Sequence, residues 1–286
     1  MHYVLTDVFT DSAYGGNQLA VFPDAAGLDG RQMQAIAREM NLSESTFVTP
    51  GSAPGRFAVR IFTPLAELPF AGHPTVGTSV VLAYLGRTGD AAEIVLEEGV
   101  GPVRVVLGEG CATFFMPGAA ETRPHAIEPA RFAEALGLRP GQLAGAAWQA
   151  GYGVPYTLIP LAGRDDVAQA ALIADRWEPI SQAIWAGRAV YIHAVTGREG
   201  DSLHVHARMF APKLGVQEDS ATGSAAAALV GSIQTDTARI VITQGVEMGR
   251  PSRIDGEIFR TDGVVTGISI GGSAVVVGEG RLLRLP

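Results

Sequence analysis

The sequence predicts an α+β fold of two pseudo-symmetric lobes, in each of which a mixed, largely antiparallel sheet is wrapped around a central apolar helix. Two observations support this prediction. A similar stretch occurs twice, at residues 60–86 and 208–231, and each copy has the pattern of a strand, a turn and a helix. The segments 78–85 and 224–230 are apolar on all sides, which is typical of a buried helix and not of an amphipathic one.

The repeat rests on matched positions. The residues Arg60, Phe62 and Pro64 of the first copy match Arg208, Phe210 and Pro212 of the second. A further match links 97–105 to 243–254, at a similar distance from the arginine in both copies. Such self-similarity indicates a duplicated unit. We therefore expect two lobes, 1–118 and 119–286, with a boundary rich in proline and glycine. The last strand of the chain could return to the first lobe.

The first lobe is predicted to contain strands and two helices. The first helix follows Asp29, a favoured N-cap residue, and can end at Asn41, because apolar residues recur between them at helical spacing. The second helix is the apolar segment described above. The predicted strands lie at 3–9, 19–22, 42–48, 57–61, 93–97, 102–107 and 111–116.

The second lobe is predicted to contain more helices. A short one runs from Glu128-Pro129 to Leu136, where Gly137 can end it. Two more helices are predicted at 165–173 and 178–186. The predicted strands lie at 154–160, 189–195 and 205–209, and the tail from Arg239 onward is strand and glycine turn.

The composition favours a globular protein and excludes several functions. Hydrophobic residues make up 47% and charged residues 17% of the 286 residues, which is typical of a well-packed core. The formal net charge of −8 argues against a nucleic-acid or anionic-membrane partner, because both need a basic surface. The chain has no apolar run of membrane-spanning length and no signal-peptide pattern, so we expect a cytoplasmic location. The single cysteine, Cys111, excludes an internal disulfide.

Glu44 is the first candidate for chemistry. Its neighbours, in N-L-S-E-S-T-F-V, carry no charge. A carboxyl group in such surroundings tends to have a raised pKa, and it can then accept and return a proton near neutral pH. The alternative is a surface acid that caps a turn, and the residues alone leave both interpretations open.

The two expected helix starts, around Gly72 and Gly223, are candidate anion sites. Free backbone N–H groups and the positive end of the helix dipole favour a negative charge there. If the lobes face each other, both starts converge on one cleft and could hold a carboxylate without an arginine. The hydroxyl of Ser224 would add a further donor.

His73 and Asp219 lie at these expected helix starts. The dipole disfavours a charged imidazole, so we expect His73 to be neutral and able to form hydrogen bonds. The alternatives are a structural histidine and an aspartate that only caps its helix. Because both residues belong to the duplicated turn, they could reach one ligand from opposite sides.

Other chemical signals are weak. His204 and His206 lie on one face of a strand and could bind a metal, but no third ligand is evident, and a mixed polar strand face is the alternative. The chain has none of the common motifs of nucleotide-binding proteins, serine hydrolases or zinc proteases. We therefore expect no metal and no cofactor.

Four segments together resemble the phenazine-biosynthesis isomerase family, the PhzF-like proteins. They are N-L-S-E-S-T-F-V (41–48), R-I-F-T-P-L-A-E-L-P-F-A-G-H-P (60–74), E-D-S-A-T-G-S-A (218–225) and Q-G-V-E-M-G-R-P-S (244–252). The opening segment 7–22 also fits, so the resemblance runs nearly from end to end. It implies the diaminopimelate epimerase-like fold, with the active site between two lobes.

The resemblance also implies roles and a reaction. Glu44 matches the glutamate that transfers the proton, and His73 and Asp219 match positions that contact the ligand. The residues we expect to bind the substrate are Ser43, Gly72, Gly223 and Ser224. The implied reaction is the cofactor-free isomerisation of trans-2,3-dihydro-3-hydroxyanthranilate, a small carboxylic acid, by a homodimer.

Related epimerases and proline racemases use two cysteines, one at each helix start. Here Ala71 stands at the first place and Ser220 or Ala221 at the second, while Cys111 lies in neither turn. Racemisation by two thiols is therefore disfavoured. Two alternatives stay open: an epimerase or tautomerase of another small carboxylic acid, and a non-catalytic protein that binds a small acid.

Overall fold

The computed structural model describes all residues from Met1 to Pro286. The chain forms seventeen strands and six α-helices. The first strands are β1 (His2–Val8), β2 (Asn17–Phe22), β3 (Glu44–Pro50), β4 (Arg56–Phe62), β5 (Glu67–Leu68), β6 (Glu93–Glu98), β7 (Gly101–Gly108), β8 (Cys111–Pro117) and β9 (Glu121–Arg123). The later strands are β10 (Trp148–Tyr152), β11 (Val154–Pro160), β12 (Val190–Glu199), β13 (Ser202–Ala211), β14 (Val216–Asp219), β15 (Arg239–Gln244), β16 (Ser252–Thr261) and β17 (Val264–Arg281). The helices are α1 (Gly30–Met40), α2 (Gly72–Tyr84), α3 (Pro129–Ala135), α4 (Arg164–Gln169), α5 (Ala174–Ala183) and α6 (Gly223–Val230).

All strands belong to one connected sheet, whereas the sequence predicts a sheet in each lobe. The sheet is mixed and largely antiparallel, as predicted. The pairings follow the same order in two parts of the chain. In the first, β1–β2 is antiparallel, β2–β3 parallel, β3–β4 antiparallel, β4–β6 parallel, and β6–β7 and β7–β8 antiparallel. In the second, β10–β11, β11–β12, β12–β13, β13–β15, β15–β16 and β16–β17 repeat this order. The last strand, β17, also pairs with β1 and β8, so the end of the chain closes the sheet at its beginning.

Two helices, α2 and α6, are buried on all sides. Every residue of α2 from Gly72 to Leu82 is buried, and so are all eight residues of α6. Helix α2 packs against β1, β2, β3, β7, β8 and β17, and helix α6 packs against β10, β11, β16 and β17. Since neither helix has a polar face, each depends on the strands around it for stability. Both belong to one core of 44 residues, and the division into two lobes at residue 118 stays a prediction.

Helix α1 forms where the sequence predicts it. Asp29 accepts hydrogen bonds from the backbone of Arg31 and Gln32, and Gln32 completes a capping box. Asn41 ends the helix in the left-handed conformation, which asparagine tolerates better than most residues. The apolar face packs into a small separate core with three phenylalanines of neighbouring strands. This end of α1 matters for the site, because the chain turns at Asn41 and enters β3 at Glu44.

The structure corrects two predicted helices of the second half. The first ends at Gln169 instead of 173, and the second runs from Ala174 to Ala183 instead of 178–186. Pro179 lies inside this second helix. The helix begins a turn earlier and thereby buries Trp177 in the same small core as Ile180. No helix of the structure has the length and hydropathy needed to cross a membrane.

Candidate active site

The starts of helices α2 and α6 are in direct contact. A Cβ atom on Gly72 would lie 2.5 Å from the Cα of Gly223, and one on Gly223 would lie 2.9 Å from the Cα of Gly72, so only glycine fits at either position. The preceding residues, Ala71 and Thr222, make no side-chain hydrogen bond to their helices. Two positive helix ends with uncapped amides therefore meet at one point, which favours binding of an anion.

An enclosed cavity lies beside these helix starts. It has a volume of about 30 Å³. Its polar lining residues are Glu44, Thr63, His73, Tyr156, Asp219, Thr222 and Ser224. Its apolar lining residues include Leu68, Phe70, Val154, Met209 and Leu214. No lysine or arginine lines the cavity, so the helix ends are the positive groups available to a bound carboxylate.

A wider depression on the sheet surface is not the predicted site. It has a volume of about 780 Å³ and is open and polar, and Tyr14 and Arg253 contribute to its lining. None of the residues that the sequence singles out for chemistry at the helix starts lies in it. The enclosed cavity brings those residues together, as a site that must exclude water requires.

Glu44 is buried in the cavity wall and is not a surface acid. It is the first residue of β3, opposite Leu19 in the parallel pairing with β2. Its side chain is 12% exposed, and its Oε2 atom has no hydrogen-bond partner. Burial, reinforced by the negative charge of Asp219, raises the pKa of Glu44 well above its usual value. The carboxyl group can therefore hold a proton at a pH where an exposed glutamate would be ionised.

His73 faces Glu44 across the cavity. The residue is the second of helix α2, at the helix start where the sequence places it. Its Nε2 atom lies 3.4 Å from Oε2 of Glu44 and, like that oxygen, has no hydrogen-bond partner. Burial lowers the pKa of His73 to about 3, opposed only by a backbone hydrogen bond to Gln18. The imidazole is neutral as expected, although the main cause is burial and not the helix dipole that the sequence suggested.

Asn17 links the predicted residues to one another. Its Nδ2 atom donates to Oδ1 of Asp219 at 2.7 Å and to the carbonyl oxygen of Ala221 at 2.9 Å, and it lies 3.1 Å from Nδ1 of His73. Its Oδ1 atom accepts a hydrogen bond from the hydroxyl of Ser43 at 3.0 Å. Ser43 does not line the cavity, and its hydroxyl orients Asn17. Its contact with the substrate stays a prediction.

Asp219 is the last residue of β14 and is held from two sides. Its second oxygen accepts a hydrogen bond of 2.6 Å from the hydroxyl of Thr222, in addition to the bond from Asn17. Burial raises the pKa of Asp219 to about 6, against the lowering effect of these hydrogen bonds. The N-cap residue of α6 is Thr222 and not the aspartate, so the alternative of a simple helix cap is wrong.

Ser224 is placed by a residue that the sequence analysis did not select. Tyr156, in β11, forms a hydrogen bond of 2.7 Å between its hydroxyl and that of Ser224. Both line the cavity. Asn17 was missed as well, although its position after two glycines in a segment that resembles the PhzF-like family was a usable signal. Tyr156 had no comparable signal, because it stands in an ordinary apolar strand.

The start of helix α6 corrects the alignment of the two positions at which related epimerases have their cysteines. Thr222, and not Ser220 or Ala221, occupies the place in front of α6 that Ala71 occupies in front of α2. Neither place holds a thiol.

The two histidines of β13 that could bind a metal have different surroundings. Nε2 of His206 lies 2.7 Å from Oε1 of Glu247, while His204 is part-exposed. No group of three or more potential ligand residues is arranged to hold a metal ion.

Comparisons with known proteins agree with this description of the fold. The sequence profile of the family described as phenazine biosynthesis-like protein matches residues 6–280. An uncharacterized isomerase of Mesorhizobium japonicum is 41% identical over 98% of both chains. The trans-2,3-dihydro-3-hydroxyanthranilate isomerase of Pseudomonas aeruginosa is 37% identical over 98% of this chain and 99% of its own.

Solved structures share the same fold. A phenazine biosynthesis protein of the PhzF family from Bacillus anthracis superposes with a TM-score of 0.87 at 22% identity, over 99% of both chains. A hydroxyproline epimerase from Agrobacterium vitis superposes with a TM-score of 0.66 at 14% identity, over 99% of this chain and 90% of that one. The chain belongs to the phenazine biosynthesis-like protein family. The names of its relatives support an isomerase of the PhzF type.

Proposed function

We propose that this protein is a cofactor-independent isomerase that moves a proton and double bonds in a small cyclic amino or hydroxy carboxylic acid. The leading candidate substrate is trans-2,3-dihydro-3-hydroxyanthranilate, on which the relative from Pseudomonas aeruginosa acts by its name. One observation carries the proposal. Glu44 is a buried carboxyl group with a free oxygen, 3.4 Å from a neutral histidine, beside two helix starts that can bind an anion.

The binding mode follows from the charges around the cavity. The substrate carboxylate lies at the contact of Gly72 and Gly223, where it can accept hydrogen bonds from the helix amides and from Ser224. Each helix end contributes about 0.3–2 kcal/mol to binding, depending on burial. The apolar wall covers the carbon skeleton of the ring. The cavity as it stands has room for only one or two water molecules, so a ring-shaped substrate enters when its walls move apart.

Glu44 acts as the single general acid and base. Its carboxylate takes a proton from one ring carbon, and the electron pair of the broken C–H bond shifts the conjugated double bonds. The protonated Glu44 then returns the proton to another carbon on the same face of the ring. No atom is gained or lost, so the reaction is an isomerisation. A carboxyl group whose pKa is raised toward neutrality is suited to both steps.

His73 and Asp219 hold the substrate while the proton moves. The neutral imidazole can accept a hydrogen bond at one nitrogen and donate one at the other. Asp219 can accept a hydrogen bond from an amino or hydroxyl group of the substrate. Because Asn17 ties both residues into one network, their positions depend on each other, and the network stabilises the charge that develops during proton transfer.

Two lobes with the site between them complete the proposal. The repeated order of strand pairings, with one buried helix in each part, supports a duplicated architecture with its boundary near residue 118. The contact between the helix starts would then mark the centre of the cleft. We also propose a homodimer and a cytoplasmic location, both on the resemblance to the family.

The experiment is turnover of trans-2,3-dihydro-3-hydroxyanthranilate by the wild-type protein and by Glu44→Gln. The variant keeps the shape of the side chain but cannot carry the proton, so we expect the rate to fall by about 10²–10⁴-fold. Absorbance and mass spectrometry report the shifted double bonds at unchanged mass. Glu39→Gln, an exposed carboxyl on α1, is the control and should keep full activity. Unchanged turnover by Glu44→Gln excludes the mechanism.

Experiments on the wild-type protein also distinguish the proposed isomerase from the two other candidate functions. An epimerase or tautomerase of another small acid would incorporate solvent deuterium into its substrate without this isomerisation, which NMR detects. A protein that only binds small acids would show tight binding with no proton exchange in any ligand. The positions Ala71 and Thr222 hold no thiols, which argues against racemisation by two cysteines.

A further inference from the structure

A second buried carboxyl group lies outside the cavity and takes no part in the mechanism above. Glu98 is the last residue of β6 and is 7% exposed. Its Oε1 atom lies 2.8 Å from the hydroxyl of Thr75, and its Oε2 atom has no hydrogen-bond partner. Thr75 belongs to the first turns of α2, and its hydroxyl also lies 2.8 Å from the carbonyl oxygen of Ala71. A continuous chain of contacts thus runs from Glu98 to the residue before the helix.

The number of protons available to these contacts indicates whether the carboxyl group of Glu98 is protonated. The hydroxyl of Thr75 has one proton but two neighbours that accept hydrogen bonds, the carbonyl oxygen of Ala71 and Oε1 of Glu98. If Glu98 is protonated, both contacts have a proton, because Glu98 can donate to Thr75 while Thr75 donates to Ala71. If Glu98 is ionised, one of the two contacts has none. An ionised carboxylate has none to donate, and its free oxygen would be a buried charge without a partner.

The second half of the chain makes the same connection with an amide. Gln244 is the last residue of β15, as Glu98 is of β6. Its Nε2 atom donates to the hydroxyl of Thr222 at 3.0 Å, and that hydroxyl gives its own proton to Asp219. Both contacts join a threonine near a helix start to a side chain at a strand end, although Thr222 precedes α6 and Thr75 is the fourth residue of α2. A neutral carboxyl group can replace the amide donor in this arrangement, and a carboxylate cannot.

No charged group nearby would stabilise an ionised Glu98. Each titratable residue on the neighbouring strands and on α2 interacts with a residue other than Glu98. Arg56 pairs with Glu97, Arg60 with Glu67, Arg104 with Glu93 and Tyr84 with Glu279, while His73 faces Glu44. Burial accordingly raises the pKa of Glu98 to about 8.

We propose that Glu98 is a positioning residue, which in its protonated form holds Thr75, and through it Ala71 and the start of α2, in the geometry of the active site. The proposal rests on the proposed function only in its effect on turnover. Its first two tests need no substrate, so they give a result whether or not the isomerase activity is found.

The first test compares unfolding of the wild-type protein and of Glu98→Gln from pH 5 to pH 8. The amide mimics the protonated carboxyl group and does not titrate. We expect the denaturation midpoint of the variant to rise relative to wild type as the pH increases through this range, because only the wild type must keep a proton on a buried acid. Glu97→Gln, at the half-buried neighbouring carboxyl that pairs with Arg56, should show no such gain. A constant difference between Glu98→Gln and wild type overturns the assignment.

The second test measures hydrogen exchange of the backbone amides of Gly72 and His73. Exchange should be faster in Glu98→Ala, which removes the donor, and unchanged in Glu98→Gln, which keeps it. If turnover is found, kcat of Glu98→Ala should fall about tenfold or more, while Glu98→Gln stays within about threefold of wild type below pH 8. Above pH 8 the wild type should lose activity that Glu98→Gln retains. Equal exchange rates in the alanine variant and wild type, or parallel pH profiles of wild type and Glu98→Gln, overturn the positioning role.

Discussion

Replacing Gly72 with alanine tests the contact between the two helix starts, on which the anion site depends. A Cβ atom at this position would lie 2.5 Å from the Cα of Gly223, whereas ordinary contacts of a Cβ atom lie at 3.4–4 Å. The obstacle is backbone and not a flexible side chain. The two helices must therefore separate by about 1 Å, which is the difference between these distances.

The consequences of this displacement can be estimated for stability and for rate. Overpacking of a tight interior costs about 1–3 kcal/mol, and we expect Gly72→Ala to lie in the upper half of this range because backbone must move. A displacement of about 1 Å in an active site can lower the rate about 10²-fold. Both helices carry site residues, so we expect a loss of kcat of this size.

Urea denaturation measures the first quantity, and the isomerisation assay measures the second. Gly141→Ala is the matched control, because a Cβ atom there would meet nothing within 4 Å. It should stay within about 0.5 kcal/mol of wild type, as surface substitutions usually do. If Gly72→Ala is as stable and as active as the control, the helix starts do not touch, and the proposed carboxylate site is wrong.

Two further predictions concern the network around Asn17. Asn17→Ala leaves Asp219 and Ser43 without their shared hydrogen-bond partner. We therefore expect the unfolding free energy to fall by about 1–3 kcal/mol, and kcat to fall with it. An unchanged unfolding free energy in denaturation and an unchanged kcat in turnover would contradict this role of Asn17. The pKa of Asp219 is raised from 3.8 to about 6, so the folded protein binds an extra proton in this range. The corresponding stability is fully present below about pH 4 and is lost as the pH rises through 6, and Asp219→Asn should remove this dependence in unfolding experiments at pH 4 and pH 7.

The absence of basic residues from the cavity has a physical consequence for selectivity. An arginine would bind any carboxylate strongly through its two-pronged geometry. The helix starts act over a short range, within about one turn of each helix. The site therefore favours an acid whose carboxylate reaches the point of contact while its ring meets the apolar wall. This combination agrees with a compact cyclic acid as the substrate class.

The sequence was sufficient for the local features of the site. Asp29 and Asn41 mark the ends of α1, and this places the chain so that Glu44 opens β3. The apolar segment after Gly72 predicts a helix that must be buried, and the same holds after Gly223. The chemical candidates Glu44, His73 and Asp219 could be selected because their short-range surroundings carry unusual signals: an acid without neighbouring charge, and polar residues at repeated helix starts.

Only the tertiary structure decided how these residues act on one another. Asn17 and Asp219 are 202 residues apart in the chain and meet at 2.7 Å, which no local pattern predicts. Ser43 supports Asn17 instead of touching the cavity, and Tyr156 reaches Ser224 from a strand with no distinctive motif. The physical reason is that these contacts depend on how α2 and α6 pack end to end inside the sheet that β17 closes. Local sequence determines which helix starts exist, whereas the packing of the whole chain determines what they face.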